Sequence, residues 1–172
     1  DITELIGNTP LVRLNRIAQD VPAKIIAKLE FYNPASSIKD RLGYGLIRDA
    51  EERGVLKKNS VIIEATFGNA GLGLGLACCV KGYRLVIVMP EQKTEDRVKL
   101  LKSFGAEIIL TPREEGMAGS IRKAEQLARE TPNSFLAEQF KNPANAKVHR
   151  ETTAREIWND TDGQVDAVVC GI

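Results

Sequence analysis

The chain has 172 residues, with 24 Lys+Arg against 23 Asp+Glu, so that its formal net charge is only +1. This near-neutral balance argues against a nucleic-acid footprint or an anionic-membrane surface. No apolar run approaches the ~20 residues of a membrane span, and the first residues do not have the pattern of a signal peptide.

Short apolar runs alternate with amphipathic stretches along the whole chain. In chain order, the predicted strands are Leu11–Leu14, Ile25–Leu29, Val61–Glu64, Leu85–Met89, Ile108–Leu110 and Val165–Cys170. The predicted helices are residues 37–53, 69–81, 94–104, 116–130 and 150–160. This alternation predicts an α/β fold in which a parallel sheet carries helices on both faces. The loop Phe140–Ala146 is the expected hinge or domain boundary.

Several residues mark the ends of these helices. Gly54, Gly82 and Gly105 each follow a helical pattern, at the place where a chain often enters the left-handed region. Ser37 is the expected N-cap of the first helix. Thr94 precedes two acidic residues that suit the first turn of another helix.

The cysteine and histidine content argues against metal chemistry. The three cysteines have neither CxxC nor metal-ligand spacing, and His149 is the only histidine, so we expect no metal site. The adjacent Cys78 and Cys79 are expected to be small core residues. The small number of cysteines and their spacing indicate a reducing compartment, most simply the cytoplasm.

Ligands of open α/β sheets bind beyond the carboxyl ends of the strands, so the loops that lead into helices are the places to search. Lys39 falls in the first turn of the first predicted helix, where the helix dipole disfavours a cation. One interpretation is a solvated lysine. The other is an amine that must be neutral, because the neutral form makes a Schiff base with an aldehyde.

The loop Thr66–Gly71 opens the next helix and suits either an anion site or a tight turn with Asn69 as N-cap. The following glycines have the spacing GxGxG rather than GxGxxG. Close helix packing is therefore favoured over dinucleotide binding.

Six segments together resemble the cysteine synthase (O-acetylserine sulfhydrylase) family, and the sister enzyme cystathionine β-synthase shares much of the pattern. These segments are Ile6–Leu14, Asn33–Arg41, Lys81–Tyr83, Met89–Glu91, Phe104–Glu107 and Glu138–Asn145. The resemblance implies the two-domain fold of the tryptophan-synthase-β-like enzymes that use pyridoxal 5'-phosphate (PLP). It also implies that the C-terminal half of that fold, with the loop that grips the PLP phosphate, lies beyond Ile172.

The resemblance further implies a role for each matching residue. Lys39 corresponds to the lysine that binds PLP and then removes the α-proton, and Asn69 to the asparagine that bonds the cofactor's ring oxygen. The substrate carboxylate is held at positions matching Thr66, Phe67, Gly68, Ala70 and Gln139. The implied reaction is β-replacement: acetate leaves O-acetylserine to give an aminoacrylate on the cofactor, and sulfide adds to form L-cysteine.

The carboxylate loop departs from the family pattern T-S-G-N-T-G, because Phe67 and Ala70 replace a serine and a threonine. Losing two hydrogen bonds to a charged group costs ~3–6 kcal/mol if nothing compensates. Two alternatives to cysteine synthesis therefore stand: a catalytically impaired relative that acts as a binding or regulatory protein, and a cystathionine β-synthase-like lyase.

The resemblance also predicts domains and partners. Residues 38–146 are the expected smaller, mobile α/β domain, and residues 1–37 and 147–172 are expected to be incomplete parts of the larger PLP-binding domain. The 172-residue segment alone is expected to be inactive. The family pattern implies a homodimer and a complex with serine acetyltransferase.

Overall fold

The computed structural model describes residues 1–91 and 96–171. Its strands are β1 (Leu11–Arg13), β2 (Ile26–Lys28), β3 (Val61–Ala65), β4 (Arg84–Pro90), β5 (Glu107–Thr111) and β6 (Ser134–Leu136). Its helices are α1 (Lys39–Glu52), α2 (Asn69–Lys81), α3 (Asp96–Ser103), α4 (Gly116–Glu130), α5 (Ala144–Glu151) and α6 (Thr153–Asp160). The predicted Thr94–Glu95 start of the third helix lies outside the described residues.

A four-stranded parallel sheet in the order β5-β4-β3-β6 forms the centre of the fold. Its two inner strands are buried and alternate between two hydrophobic clusters, because successive side chains of a strand point to opposite faces. One face packs against α1, α2 and α3 through residues such as Ile62 and Ile87. The other packs against α4 through residues such as Ile63 and Val88. The predicted parallel sheet with helices on both faces is confirmed.

The first two predicted strands do not join a parallel sheet. β1 and β2 pair with each other in antiparallel register, with Leu11 opposite Lys28. The segment between them contains no helix, and a chain that returns without a long crossover returns antiparallel.

The predicted strand Val165–Cys170 is wrong. The described part of this segment carries no strand, and Val168 and Val169 are 64% and 96% exposed. An apolar run becomes a strand only where a neighbouring strand takes its backbone N–H and C=O groups, and no described strand lies beside it.

Two short elements were not predicted. β6 has three residues, too few for a recognisable alternation. Helix α5 begins at Ala144, inside the expected hinge Phe140–Ala146, and the predicted helix 150–160 begins only at Thr153. The turn before α5 is closed by Asn142, whose side-chain oxygen accepts the N–H of Ala144 at 3.1 Å.

The helix ends follow the predicted signals in part. Gly54, Gly82 and Gly105 have positive φ, as predicted. Ser37 is not the N-cap, since α1 begins at Lys39 with Ile38 at the cap position. The Ser37 hydroxyl nevertheless accepts the Lys39 N–H at 3.1 Å, so it satisfies one of the free donors of the first turn.

Helices α1 and α2 cross with their backbones in contact. A Cβ atom placed on Gly43 would lie 2.2 Å from the carbonyl carbon of Gly73, and one placed on Gly73 would lie 2.1 Å from the carbonyl oxygen of Lys39. No side chain fits at such a crossing. The GxGxG spacing is thus confirmed as a packing device that fixes the start of α1 over the first turns of α2.

A buried group of charges, which we call the Arg41 cluster, joins the N-terminal segment to α1 and α6. Its members are Arg41, Glu30, Glu156, Lys28 and Thr9. The guanidinium of Arg41 binds Glu30 through Nε at 2.8 Å and Glu156 through Nη2 at 2.7 Å. Lys28 lies 2.9 Å from Glu156, and the hydroxyl of Thr9 donates to Glu30 at 2.6 Å.

The cysteine prediction is half right. Cys78 is buried in the core and burial raises its pKa to about 12, whereas Cys79 is exposed because the next helical position faces about 100° away. In the described ranges, no helix is long and apolar enough to cross a bilayer, and no group of three or more His, Cys, Asp and Glu residues could hold a metal ion.

Candidate functional site

The candidate site lies at the carboxyl edge of the parallel sheet. There β3 runs into the loop that opens α2, and the parallel strand β6 runs into the segment that carries Gln139. The two segments meet because the N–H of Ala137 continues the β3–β6 ladder to the carbonyl oxygen of Ile63 at 3.0 Å. The crossing at Gly43 and Gly73 brings the start of α1 to the same edge.

Lys39 is the first residue of α1 and is half-buried. Within the described part of the chain, its Nζ makes no hydrogen bond or ion pair. Burial, and then the charges of Lys39 and Arg41, lower the pKa of the half-buried His149. The Nδ1 of that imidazole lies 2.9 Å from the hydroxyl of Thr153. The Lys39 amine is thus half-buried at the positive end of a helix, with no ion pair in the described part of the chain.

The loop between β3 and α2 is held by its own hydroxyl. Thr66 is 5% exposed, and its Oγ1 accepts the N–H of Gly68 at 3.1 Å. Gly68, not Asn69, occupies the N-cap position, since Asn69 is the first helical residue. This correction leaves the Asn69 side chain exposed, with no hydrogen-bond partner in the described ranges.

The two departures from the family loop have different surroundings. Phe67 is 42% exposed, whereas Ala70 is 3% exposed and packs in the core beneath the loop. The backbone oxygen of Phe67 accepts a hydrogen bond from Nη1 of Arg97 on α3 at 2.6 Å. Sequence reasoning missed Arg97, because a single arginine in an amphipathic helix gives no signal that it reaches a loop thirty residues earlier.

Gln139 is buried, at 6% exposure, and is anchored through both its backbone and its side chain. The Nδ2 of Asn145 donates to the Gln139 carbonyl oxygen at 2.9 Å. The Nε2 of Gln139 donates to Oε1 of Glu64 at 3.3 Å. The candidate carboxylate-binding residue thus rests on an acid that sequence reasoning read only as the end of a strand.

Glu64 is 3% exposed near the end of the inner strand β3. Burial raises the pKa of its carboxyl to about 7, although hydrogen bonds from Gln139 oppose the shift. Its Oε2 atom is buried and has no hydrogen-bond partner among the described residues. A buried acid in a parallel strand is itself a sequence signal, because Glu is seldom fully buried without a partner.

Three of the residues predicted from the sequence lie near one another because of two features of the fold, the pairing of β3 with β6 and the crossing of α1 with α2. Asn69 and Gln139 follow β3 and β6, while Lys39 lies over the first turns of α2. No hydrogen bond joins the side chains of these three residues in the described structure. They surround the edge of the sheet without binding one another.

Comparison with known proteins identifies the family to which this chain belongs. The chain belongs to the family of pyridoxal-phosphate-dependent enzymes, whose model matches residues 2–172. Among its relatives is a cysteine synthase of a Flavobacterium species, which is 52% identical over 98% of this chain and 55% of the relative. The chain spans about half the length of the curated relatives it matches. The resemblance to the cysteine synthase family is thereby confirmed.

Solved structures give the same result. A hydrogen sulfide-producing enzyme of Fusobacterium nucleatum matches with a TM-score of 0.93 and 44% identity, over 100% of this chain and 57% of the other. Cysteine synthase of Entamoeba histolytica matches with a TM-score of 0.91 and 44% identity, over 96% of this chain and 50% of the other.

The residues present fit the cofactor of this family. PLP carries an aldehyde and a ring hydroxyl, which call for an uncommitted amine and a polar side chain close to it. Lys39 offers an amine without an ion pair, and Asn69 offers an amide without a hydrogen-bond partner among the described residues. The first turn of α2 adds backbone N–H groups that suit an anion.

Proposed function

We propose that the protein containing this chain catalyses a β-replacement that forms L-cysteine from O-acetylserine and sulfide. The observation that carries the proposal is the free amine of Lys39, held by a backbone-to-backbone helix crossing over the first turns of α2. The names of the relatives support the choice of reaction.

PLP, when bound, supplies an electron sink for the α-carbon of an amino acid. Lys39 would bond the aldehyde carbon of the cofactor through Nζ and, once released, take up the α-proton of the substrate. Asn69 would donate from its amide to the ring oxygen. The crossing at Gly73 keeps the Lys39 backbone at a fixed distance from the helix that carries Asn69.

The substrate carboxylate would lie against the loop and Gln139. The Thr66 hydroxyl accepts from Gly68 and keeps its own proton to donate. The backbone N–H groups of Phe67 and Ala70 are further donors, and they do not depend on the replaced hydroxyls, whereas the Gly68 N–H is bound to Thr66. The Gln139 amide closes the site from the side of β6.

The domain division belongs to this proposal. Residues 38–146 would form the smaller, mobile α/β domain, and residues 1–37 and 147–172 would belong to the larger one. Because part of the larger domain would be lacking, the 172-residue segment alone would be inactive. A cytoplasmic homodimer and a complex with serine acetyltransferase extend the proposal to the whole protein.

Two other functions have a specific observation in their favour. Phe67 and Ala70 favour a catalytically impaired relative that serves as a binding or regulatory protein. The Fusobacterium relative, described as producing hydrogen sulfide, favours a lyase that acts on thiol amino acids, as does the likeness to cystathionine β-synthase.

The test uses the full-length protein supplied with PLP. We expect a yellow protein, and Lys39→Ala should remove the visible absorbance, because Lys39 is the residue that would bond the aldehyde. The control Lys58→Ala, at an exposed position, should remain yellow. A colourless wild-type protein that takes up no PLP would overturn both the synthase and the lyase functions.

Turnover then separates the remaining candidates. Cysteine formed from O-acetylserine and sulfide supports the proposal. Sulfide released from L-cysteine, without cysteine synthesis, favours the lyase. A yellow protein with neither activity favours the impaired relative.

A further inference from the structure

Glu64 is a buried acid that the proposed chemistry does not use. It lies in β3, with β4 on one side and β6 on the other, and is 3% exposed. An acid in this position costs stability unless something compensates for its burial. The other buried carboxyl groups that bind Arg41 are compensated by its charge, but Glu64 has no cation bound to it in the described ranges.

The side chain that donates a hydrogen bond to Glu64 is that of Gln139, and the backbone of Gln139 and Glu138 also interacts with the carboxyl group. Its Oε1 accepts the Nε2–H of that side chain at 3.3 Å, and hydrogen bonds of this kind tighten when a substrate fills a site. Because Oε1 of Glu64 accepts a hydrogen bond, the Gln139 amide is oriented with its Nε2, and not its Oε1, toward Glu64. Nε2 carries two hydrogens, so one binds Glu64 and the second remains free for an external acceptor.

The backbone of Gln139 cannot turn to compensate. Asn145 holds its carbonyl oxygen at 2.9 Å, and Ala137, two residues earlier, is held to β3 at 3.0 Å. With the main chain fixed on both sides, the amide orientation is the remaining freedom, and Glu64 is the group that restricts it.

We propose that Glu64 is a positioning residue: its carboxyl holds the Gln139 amide so that the second Nε2 hydrogen is presented to the carboxylate of the amino-acid substrate. The inference rests on the proposed function, in which Gln139 binds that carboxylate. Because an ionised Glu64 would repel the same carboxylate, the uncharged form is the one that serves amino-acid binding.

The charges around Glu64 favour this uncharged form. Burial raises the pKa of Glu64 to about 7, and the neighbouring charge of Glu138 adds to the shift. Lys141 pairs with Glu138 at 2.9 Å and lies 3.9 Å from Glu125 of α4, so it is engaged on the rim of the cavity that Glu64 also lines. β6 and the first two turns of α2 contain no titratable residue. The one titratable residue of β4 is Arg84, which lies opposite Val61 at the other end of the sheet. The charged or titratable residues nearer this edge are Arg97 of α3, Lys39 of α1 and His149 of α5.

The test compares Glu64→Leu, which removes the acceptor, with Glu64→Gln, which keeps a carbonyl oxygen and cannot ionise. In the full-length enzyme with PLP, Glu64→Leu should raise the KM for O-acetylserine about tenfold, the effect of one lost hydrogen bond to a charged group, with a smaller change in kcat. Glu64→Gln should restore the KM at pH 6. Glu107→Gln, which changes an exposed acid of strand β5, is the control and should behave as wild type.

The pH profile is a readout that a purely structural role would not move. In the wild type, the KM for O-acetylserine should rise as the pH increases from 6 to 8, because Glu64 then ionises beside the substrate carboxylate. Glu64→Gln should lose this rise.

The pH dependence of thermal unfolding is a second readout, which needs no enzymatic activity. A folded-state pKa above the unfolded value means that stability falls between about pH 4.5 and 7. Glu64→Gln should therefore unfold at least about 5 °C higher than wild type at pH 8, and the difference should shrink at pH 5.

The outcomes separate the two proposals. A yellow, active enzyme in which Glu64→Leu leaves the KM unchanged, or in which Glu64→Gln keeps the wild-type pH profile, would overturn the role of Glu64 alone. A colourless wild-type protein overturns the proposed function before Glu64 is tested. A Glu64→Leu variant that fails to fold leaves Glu64→Gln and its pH profile to decide.

Discussion

The Arg41 cluster and the carboxyl edge of the sheet are two polar regions that meet on helix α1, and they treat their polar groups in opposite ways. Arg41 is 1% exposed, and its guanidinium binds two carboxylates as well as two hydroxyl groups. The Nζ of Lys39, two residues earlier, makes no hydrogen bond or ion pair with any described residue. The same turn of helix therefore contains a fully bound cation and a free one.

The carboxyl groups of the two regions show the same contrast. Burial alone would raise the pKa of Glu156, but hydrogen bonds from Arg41 and Lys28 lower it to about 2. Burial raises the pKa of Glu64 to about 7, since an amide is its bonded partner and no cation offsets the burial. The difference teaches that the satisfied polar groups of the Arg41 cluster hold the N-terminal segment to α1 and α6, whereas Lys39 Nζ and Glu64 Oε2, at the carboxyl edge, have no hydrogen-bond partner among the described residues.

The largest effect is expected from exchanging the two cations for apolar side chains. Arg41→Met should lower the free energy of unfolding by ~3–5 kcal/mol, because the mostly buried Glu30 loses its cation and Glu156 keeps only Lys28. Lys39→Met should change it by less than about 0.5 kcal/mol, because Lys39 stabilises nothing. Urea unfolding of both variants at pH 7 measures the contrast.

An exposed pair provides the control for Arg41. Arg84 and Glu107 are 65% and 56% exposed, so Arg84→Met should cost less than about 1 kcal/mol. If Arg41→Met and Lys39→Met lowered the free energy of unfolding equally, Arg41 would not be a structural cation in contrast to Lys39.

A smaller effect, on catalytic efficiency, is expected from restoring hydroxyl donors to the loop between β3 and α2. Phe67→Ser, at the exposed position, should raise kcat/KM for O-acetylserine about tenfold to a hundredfold, because a hydroxyl bond to a charged group is worth ~1.5–3 kcal/mol. Ala70→Thr should act in the same direction and less strongly, because its side chain is buried beneath the loop. Steady-state kinetics of the full-length enzyme measures both changes.

Ala70→Val separates the hydroxyl from the added volume, since valine has nearly the shape of threonine. If Ala70→Val improves kcat/KM as much as Ala70→Thr, the missing donor is not the cause. If neither Thr nor Ser changes kcat/KM, backbone N–H groups already satisfy the carboxylate.

The smallest effect is expected from Arg97. Arg97→Ala removes the hydrogen bond to the Phe67 oxygen and should raise the KM for O-acetylserine about fivefold, which corresponds to ~1 kcal/mol for a solvent-accessible contact. Arg97→Lys should lie between wild type and Arg97→Ala. Arg113→Ala, at an exposed position on another element, is the control. A KM that is identical in all three variants would show that the loop does not need this contact.

The sequence predicts the inner part of the fold because local and global signals agree there. β3 and β4 are apolar runs apart from Glu64 and Arg84, the helix α2 between them is apolar along most of its length, and each of three helices is followed by a glycine with positive φ. The position of Lys39 at the start of a helix was also predictable, since the Asn33–Arg41 motif and the helical pattern begin together.

Other features depend on partners that a linear pattern does not reveal. The apolar residues of Val165–Cys170 satisfy every sequence rule for a strand, but a ladder needs a neighbour. β1 and β2 are correct as strands and wrong in direction, because direction depends on the connection. Glu64 and Gln139 are 75 positions apart, and only the pairing of β3 with β6 brings them together.

The contact of Gly43 with Gly73 has a consequence for how this family can vary. Where side chains separate two helices, exchanging a leucine for a valine adjusts their spacing by fractions of an ångström. Here the separation equals the thickness of two peptide chains, and no substitution can make it smaller. The backbone contact therefore fixes the distance between Lys39 and the loop that opens α2. We expect differences in specificity to come from the side chains around them.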